Sequence, residues 1–404
     1  MKSIKGSSTF ILYLVCISAF FAAMNVNIYS PIIPSIKDSF HVSLSLVDMS
    51  VSIFTLIFAI MQIVFGIFVD FKGARFILVP SIFLTVIVSI GCALTQSFTV
   101  FILFRCLQAI GTAALPLIAA TTIGQLFQGS QRSSAMGTYQ TALSVASAIA
   151  PLLGGWIGEH YAYSGIFWFL AAVSVVLLIA NWIFFPKMTV EEKKPLRINK
   201  VLVNYGMVFK NKAGNAIFIL NFFIYFIYFS IIVYLPILFT SHFHLKLGIV
   251  GLLYLPIALL MIVGNTVFKY GKSRISLNHL LVISSIILAC CIVLFAWTQS
   301  LSLFSVSLIL AFYGIAMGTI TPLLTTMITD EYEQQRGSAL GMFNFVKYIG
   351  MAAGSGISGV FLAEFKPVIV FLAMGLLLVL LNSLLLPLVI RKQAKGTPKE
   401  PLRG

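Results

Sequence analysis

Two basic residues stand where a basic residue is costly. Arg105 and Lys347 each lie inside a long run of apolar residues. A charge at that depth in an apolar helix marks a transport or binding function by default. Gln108 and Thr112 follow Arg105 at i+3 and i+7, so a helix carries all three on one face. Asn344, Lys347 and Met351 share a face in the same way. Further stripes are Asn25 with Tyr29; Gln140, Ser144, Ser147 and Pro151; and Asn221, Tyr225 and Tyr228. Side chains of these kinds, converging near a midplane, predict an aromatic, amide-rich cavity for a mid-sized amphipathic substrate.

None of the eleven acidic residues falls in the middle of an apolar run. Asp48 is nearest, and Ser45-Leu-Val-Asp48 reads as a helix N-terminal capping pattern. A cavity with two cations and no carboxylate favours an anion or zwitterion over a cation. Proton coupling then falls to a rim carboxylate such as Asp48, or to a desolvated Lys347. Enzyme chemistry is not indicated. There is no HExxH or Gly-x-Ser-x-Gly pattern, no pair of carboxylates within a run and no phosphate-binding loop. Cys16, Cys92, Cys106, Cys290 and Cys291 read as small buried apolar residues, and His242-x-His244 as part of a solvated loop. No cofactor is expected.

The elements that must position these groups are membrane helices. Of the 404 residues 60% are hydrophobic and 9% charged, far below the roughly 25% charged of a soluble domain. Apolar runs long enough to span a bilayer recur near 10–33, 47–69, 76–95, 99–126, 133–158, 164–186, 213–240, 247–268, 277–297, 301–329, 337–363 and 367–390. With both termini in the cytoplasm, only Lys37, Lys246 and Lys366 fall outside, and every other Lys and Arg except Arg105 and Lys347 falls inside. Such asymmetry fixes an even number of spans and the orientation. The net charge of +15 is therefore a topology signal and a contact for anionic lipid, and no nucleic-acid partner is expected.

The chain also repeats. Arg132-Ser-Ser-Ala-Met-Gly137 returns as Arg336-Gly-Ser-Ala-Leu-Gly341, and Gly155 returns as Gly359 at the same offset. Gly66 and Gly73 return as Gly264 and Gly271. Parallel six-span repeats are a transporter architecture. The expected division is a bundle at 1–186, a cytoplasmic linker at 187–212 with an interfacial helix around Val201–Lys210, a second bundle at 213–390 and a tail at 391–404.

Three motifs then resemble those of the major facilitator superfamily, and of its twelve-span drug–proton antiporters in particular. Gly66-Ile-Phe-Val-Asp70-Phe-Lys72-Gly73-Ala-Arg75 is similar to the superfamily's 2–3 loop signature. Arg105-Cys-Leu-Gln108-Ala-Ile-Gly111 resembles the span 4 motif, and Ala150-Pro151-Leu-Leu-Gly154-Gly155 the span 5 motif. The resemblance implies an all-α fold of twelve helices in two pseudo-symmetric six-helix bundles. It implies proton-coupled efflux of small amphipathic compounds from the cell membrane by a monomer. It further implies that Asp70 approaches the start of span 11 as a latch; Gly66 and Gly73 then permit close approach and a tight turn, and Arg75 is placed to pair across the gate.

Overall fold

The computed structural model describes residues 2–186, 211–271, 274–332 and 336–396, and side chains within these except at 2–7, 67, 70–72, 129–130, 132–133, 336–338 and 391–396. The expected linker, its interfacial helix and most of the tail lie outside the described residues or side chains. Helices run through nearly all the rest: α1 (Lys2–Asn27), a 3-10 turn (Ser30–Ile32), α2 (Ile33–Phe40), α3 (Leu44–Lys72), α4 (Ala74–Leu94), α5 (Phe98–Leu126) and α6 (Gly129–Phe184). After the linker come α7 (Lys212–Ile237), a π-helical turn (Leu238–His242), α8 (Leu247–Leu252), α9 (Leu255–Gly271), α10 (Leu277–Thr298), α11 (Leu303–Glu331), α12 (Arg336–Glu364) and α13 (Pro367–Gly396). No strand occurs among the described residues. In lipid a backbone must satisfy its own polar groups, and helices do so within one segment.

Among the described residues eleven helical stretches are long and apolar enough to cross a membrane. One of them, Ser134–Phe184, is two spans in one. Tyr161 (φ −128°, ψ 16°) and Ala162 (φ 53°, ψ −168°) leave helical geometry and reverse the chain. That division yields the twelve spans expected, with α8 and α9 together making the eighth.

Serine and asparagine set several helix starts. Ser43 caps α3 by accepting from the Leu46 amide, Ser276 caps α10 by accepting from His279, and Ser302 caps α11 by accepting from Ser305. Asn211 accepts from the Ala213 amide at the start of α7. The capping pattern expected at Ser45-Leu-Val-Asp48 is thus displaced: Ser43 holds the cap, and Asp48 lies in the second turn. Within the spans, hydroxyls mostly donate to the carbonyl four residues back, as Thr85 does to Ser81 and Ser174 to Leu170. The cysteines are free thiols; Cys16, Cys92 and Cys291 are buried, but Cys106 is half-buried and Cys290 exposed, so burial holds for three of the five.

By contacts the chain forms two compact units. The first comprises Met1–Leu196, Tyr228–Ala258 and Met351–Glu364; the second, Arg197–Ile227, Leu259–Gly350 and Phe365–Gly404. In the first, α4 packs on α5 and α6, α1 on α5 and α6, α3 on α5, and α6 on α8. One end of its core is an aromatic cluster of Tyr29, Phe40, Phe98, Phe101, Tyr163 and Phe167. In the second, α10 packs on α11 and α13.

Candidate functional site

Among the described residues Arg105 is the largest fully buried side chain, with 2% of its surface exposed. Its Nη1 donates to Gln108 Oε1 at 2.6 Å, and Gln108 Nε2 donates to Ser89 Oγ on α4 at 2.8 Å. The guanidinium carbon lies 4.5 Å from the centre of the Tyr29 ring and 4.1 Å from that of Phe54, with Phe167 at 5.8 Å. A planar cation thus lies over aromatic faces, whose electron-rich surface replaces part of its lost hydration. Among the described residues no carboxylate pairs with it, and Nε has no hydrogen-bond partner.

The surrounding elements make this pocket. Gly111, one turn beyond Gln108, lets α5 lie against Ser81 and Thr85 of α4; a Cβ there would come within 2.6 Å of the Ser81 carbonyl oxygen. Helix α1 ends at Asn27, so Tyr29 stands past the regular helix, not on a shared helical face with Asn25. The Tyr29 hydroxyl is 2.7 Å from Ser50 Oγ on α3. Asn25 is fully buried, and neither amide atom has a partner among the described residues. Asn27 donates to Ser147 of α6 at 3.4 Å.

The second unit holds a smaller cluster around Lys347. Its Nζ lies 5.2 Å from the Tyr225 ring centre and 4.9 Å from that of Tyr348. The Tyr225 hydroxyl meets Thr321 Oγ1 at 3.1 Å, and Asn221 donates to the Phe343 carbonyl at 2.9 Å. Lys347 and Asn344 are half-buried. Asn221 and Tyr225 thus tie α7 to α12 and α11, while Tyr228 falls in the first unit and Gln140 is exposed on α6.

The motif around Pro151 is a packing device. A Cβ on Gly154 would overlap the Ile28 carbonyl oxygen, and one on Gly155 the Leu247 carbonyl oxygen. From the other side Gly251 of α8 approaches the Pro151 carbonyl, 2.6 Å from where its Cβ would be. The repeat partner of this crossing is present too. Gly359 of α12 lies against Asp48 of α3, and Ser52 and Ser45 donate to the Ala352 and Gly359 carbonyls at 2.6 and 3.2 Å. Span 5 meets the start of span 8, and span 11 meets the start of span 2.

In the 2–3 loop, Gly73 makes the turn at φ 85°, a conformation that favours glycine. A Cβ on Gly66 meets nothing within 4 Å, so close approach does not require that glycine here. The Arg75 guanidinium donates to the carbonyls of Phe185 and Trp182 and so caps the last turn of α6. The Asp70 side chain lies outside the described residues.

The sequence pattern missed Ser89, Ser50 and Phe54. Ser89 and Ser50 are isolated hydroxyls within apolar runs, and that was the available signal. Phe54 is one of 36 phenylalanines and carried none.

The sequence model described as Major Facilitator Superfamily matches residues 15–355 and 308–403. Among similar proteins, Citrate exporter 1 of Aspergillus niger is 27% identical over 179 residues, 44% of this chain and 34% of that protein. The Chloramphenicol resistance protein of Pseudomonas aeruginosa is 26% identical over 183 residues, 45% of this chain and 44% of that one. The matched region thus spans less than half the length of either relative. A solved bacterial homologue of the human lysosomal transporter Spinster, in an inward-facing and unoccupied conformation, shares the fold at a TM-score of 0.79 and 14% identity, over 98% of this chain and 99% of that one. The family model covers most of the chain and the fold is all-helical among the described residues, and the chain belongs to the Major Facilitator Superfamily.

Proposed function

We propose that the protein is a secondary active transporter that exports small amphipathic compounds by alternating access, drawing on the proton gradient and needing no cofactor. In this reading it sits as a monomer in the cell membrane with both termini in the cytoplasm, and its two six-span bundles are 1–186 and 213–390. Arg105 carries the reading. A family of membrane transporters holds here a fully buried arginine on two aromatic rings and a glutamine, with no counter-ion among the described residues. A spanning helix bears that cost when the charge serves the transported cargo or its coupling. The relative named for chloramphenicol resistance supports a drug-like substrate.

Ethidium accumulation in energised inside-out vesicles, with and without an uncoupler, tests this. Uncoupler-sensitive uptake that is lost in Arg105→Ala is the expected result. No uptake by folded wild-type protein defeats cationic-drug export. In that case Arg105 and Lys347, neither of them paired with a carboxylate among the described residues, make an anionic metabolite or siderophore, exported or imported, the class to assay.

A further inference from the structure

Asp48 is buried where a carboxylate has little to hold it. It is 1% exposed in the second turn of α3, inside a spanning helix. Its Oδ1 has no hydrogen-bond partner, and among the described residues no cation lies within ion-pair distance. What faces it is mostly small and neutral. From α12 comes Gly359, with a Cβ position only 2.6 Å from Oδ2, and from α3 itself Ser45 and Ser52 flank it, both donating to α12 carbonyls instead. The charged and titratable groups of the elements packed around it are engaged elsewhere or exposed. Tyr29 meets Ser50, Arg105 of α5 lies over Tyr29 and Phe54, Lys37 and Asp38 of α2 are exposed 4.0 Å apart, and Glu364 is exposed at the end of α12.

An ionised carboxylate left unpaired in such a place costs several kcal/mol, whereas the neutral acid can remain. Gly359 brings the α12 backbone against the carboxyl, and among the described residues the crossing offers an ionised Asp48 no cation. We infer that Asp48 is a proton-binding site built into the α3–α12 crossing: it takes a proton from water while the two helix ends are apart, and the neutral carboxyl is the form that closes with them. This deepens the transport reading and rests on it, since it names the acid that couples the proton. Raising the pH removes the proton, places a charge in the crossing and favours separation; lowering it favours closure.

Hydrogen–deuterium exchange of the full-length protein, followed against pH in peptides covering 44–52 and 351–364, tests this without any substrate. After correction for intrinsic exchange, wild-type protection is expected to fall as pH rises, by up to about tenfold per unit. Asp48→Asn is expected to remain protected throughout, and Asp48→Glu to keep a pH response. A flat wild-type profile overturns the proposal, as does an Asp48→Asn profile that follows wild type. If Asp48→Asn does not fold, Asp48→Ser takes its place, and an Asp48→Ser profile that follows wild type overturns the proposal. In vesicles, Asp48→Asn is expected to equilibrate ethidium downhill yet lose at least about tenfold of its uphill accumulation. Accumulation equal to wild type overturns the proton site and leaves the transport reading intact. An Asp48-dependent exchange response in a protein that moves no ethidium supports the proton site and removes the drug-export reading alone.

Discussion

Replacing Arg105 with lysine would keep the charge and remove the flat surface that lies over Tyr29 and Phe54. A desolvated cation–π contact contributes about 2 kcal/mol. Arg105→Ala, which removes the contact, is therefore expected to lower transport at least roughly thirtyfold, and Arg105→Lys, which keeps a cation near the rings, by less than that, measured as initial vesicle uptake at equal protein. Gln108→Ala is expected to lower stability by about 1–3 kcal/mol, because it strips partners from Arg105 and Ser89 together. Thermal melting in detergent reads that loss. Arg105 and Gln108 were legible in the sequence because a charge in an apolar run is conspicuous and i+3 spacing is a local property. The rings around the guanidinium were not, since the register of α3 against α5 is a property of packing. Asp48 was misread because two serines, Ser43 and Ser45, compete for the cap, and only backbone geometry shows that Ser43 accepts the amide.

At the scale of helices, the close crossings decide what can change. Gly154→Ala and Gly155→Ala each drive a methyl group into a backbone carbonyl, and backbone cannot swing aside as a long side chain can. Overpacking of this kind costs about 1–3 kcal/mol, so both variants are expected to melt earlier than wild type. Gly66→Ala meets open space in α3, and is expected to be neutral or to gain up to about 1 kcal/mol from helix propensity. A Gly66→Ala protein that melts with the Gly154 variant would defeat this ordering. Helix existence was plain from apolar run length, and the boundary between the fifth and sixth spans was expected between residues 158 and 164. The form of that boundary was not. No glycine or proline stands at 161–162, and an alanine takes the positive φ.

At the scale of the chain, the repeat read from offsets reappears as packing. Gly155 and Gly359, 204 positions apart, both sit at glycine-tight crossings, one against the start of α8 and the other against the start of α3. The spacing was visible in one dimension; which helix each glycine meets was not. The charge asymmetry predicts that tags at both termini are protected from protease in right-side-out vesicles and cleaved in inside-out ones, and cleavage of either in the former reverses that terminus. The two-residue reversal at Tyr161–Ala162 bears on how the chain is made. Its arms, residues 129–160 and 163–184, follow one another with almost no hydrophilic connection. The second arm alone is about 33 Å long, enough to cross the bilayer. During synthesis the pair should enter lipid as one hairpin, each arm shielding the other's polar face. A single cysteine placed in the fifth span is expected to stay open to a water-soluble thiol reagent in a nascent chain halted near Gly158, and to be shielded in one halted well beyond Phe184.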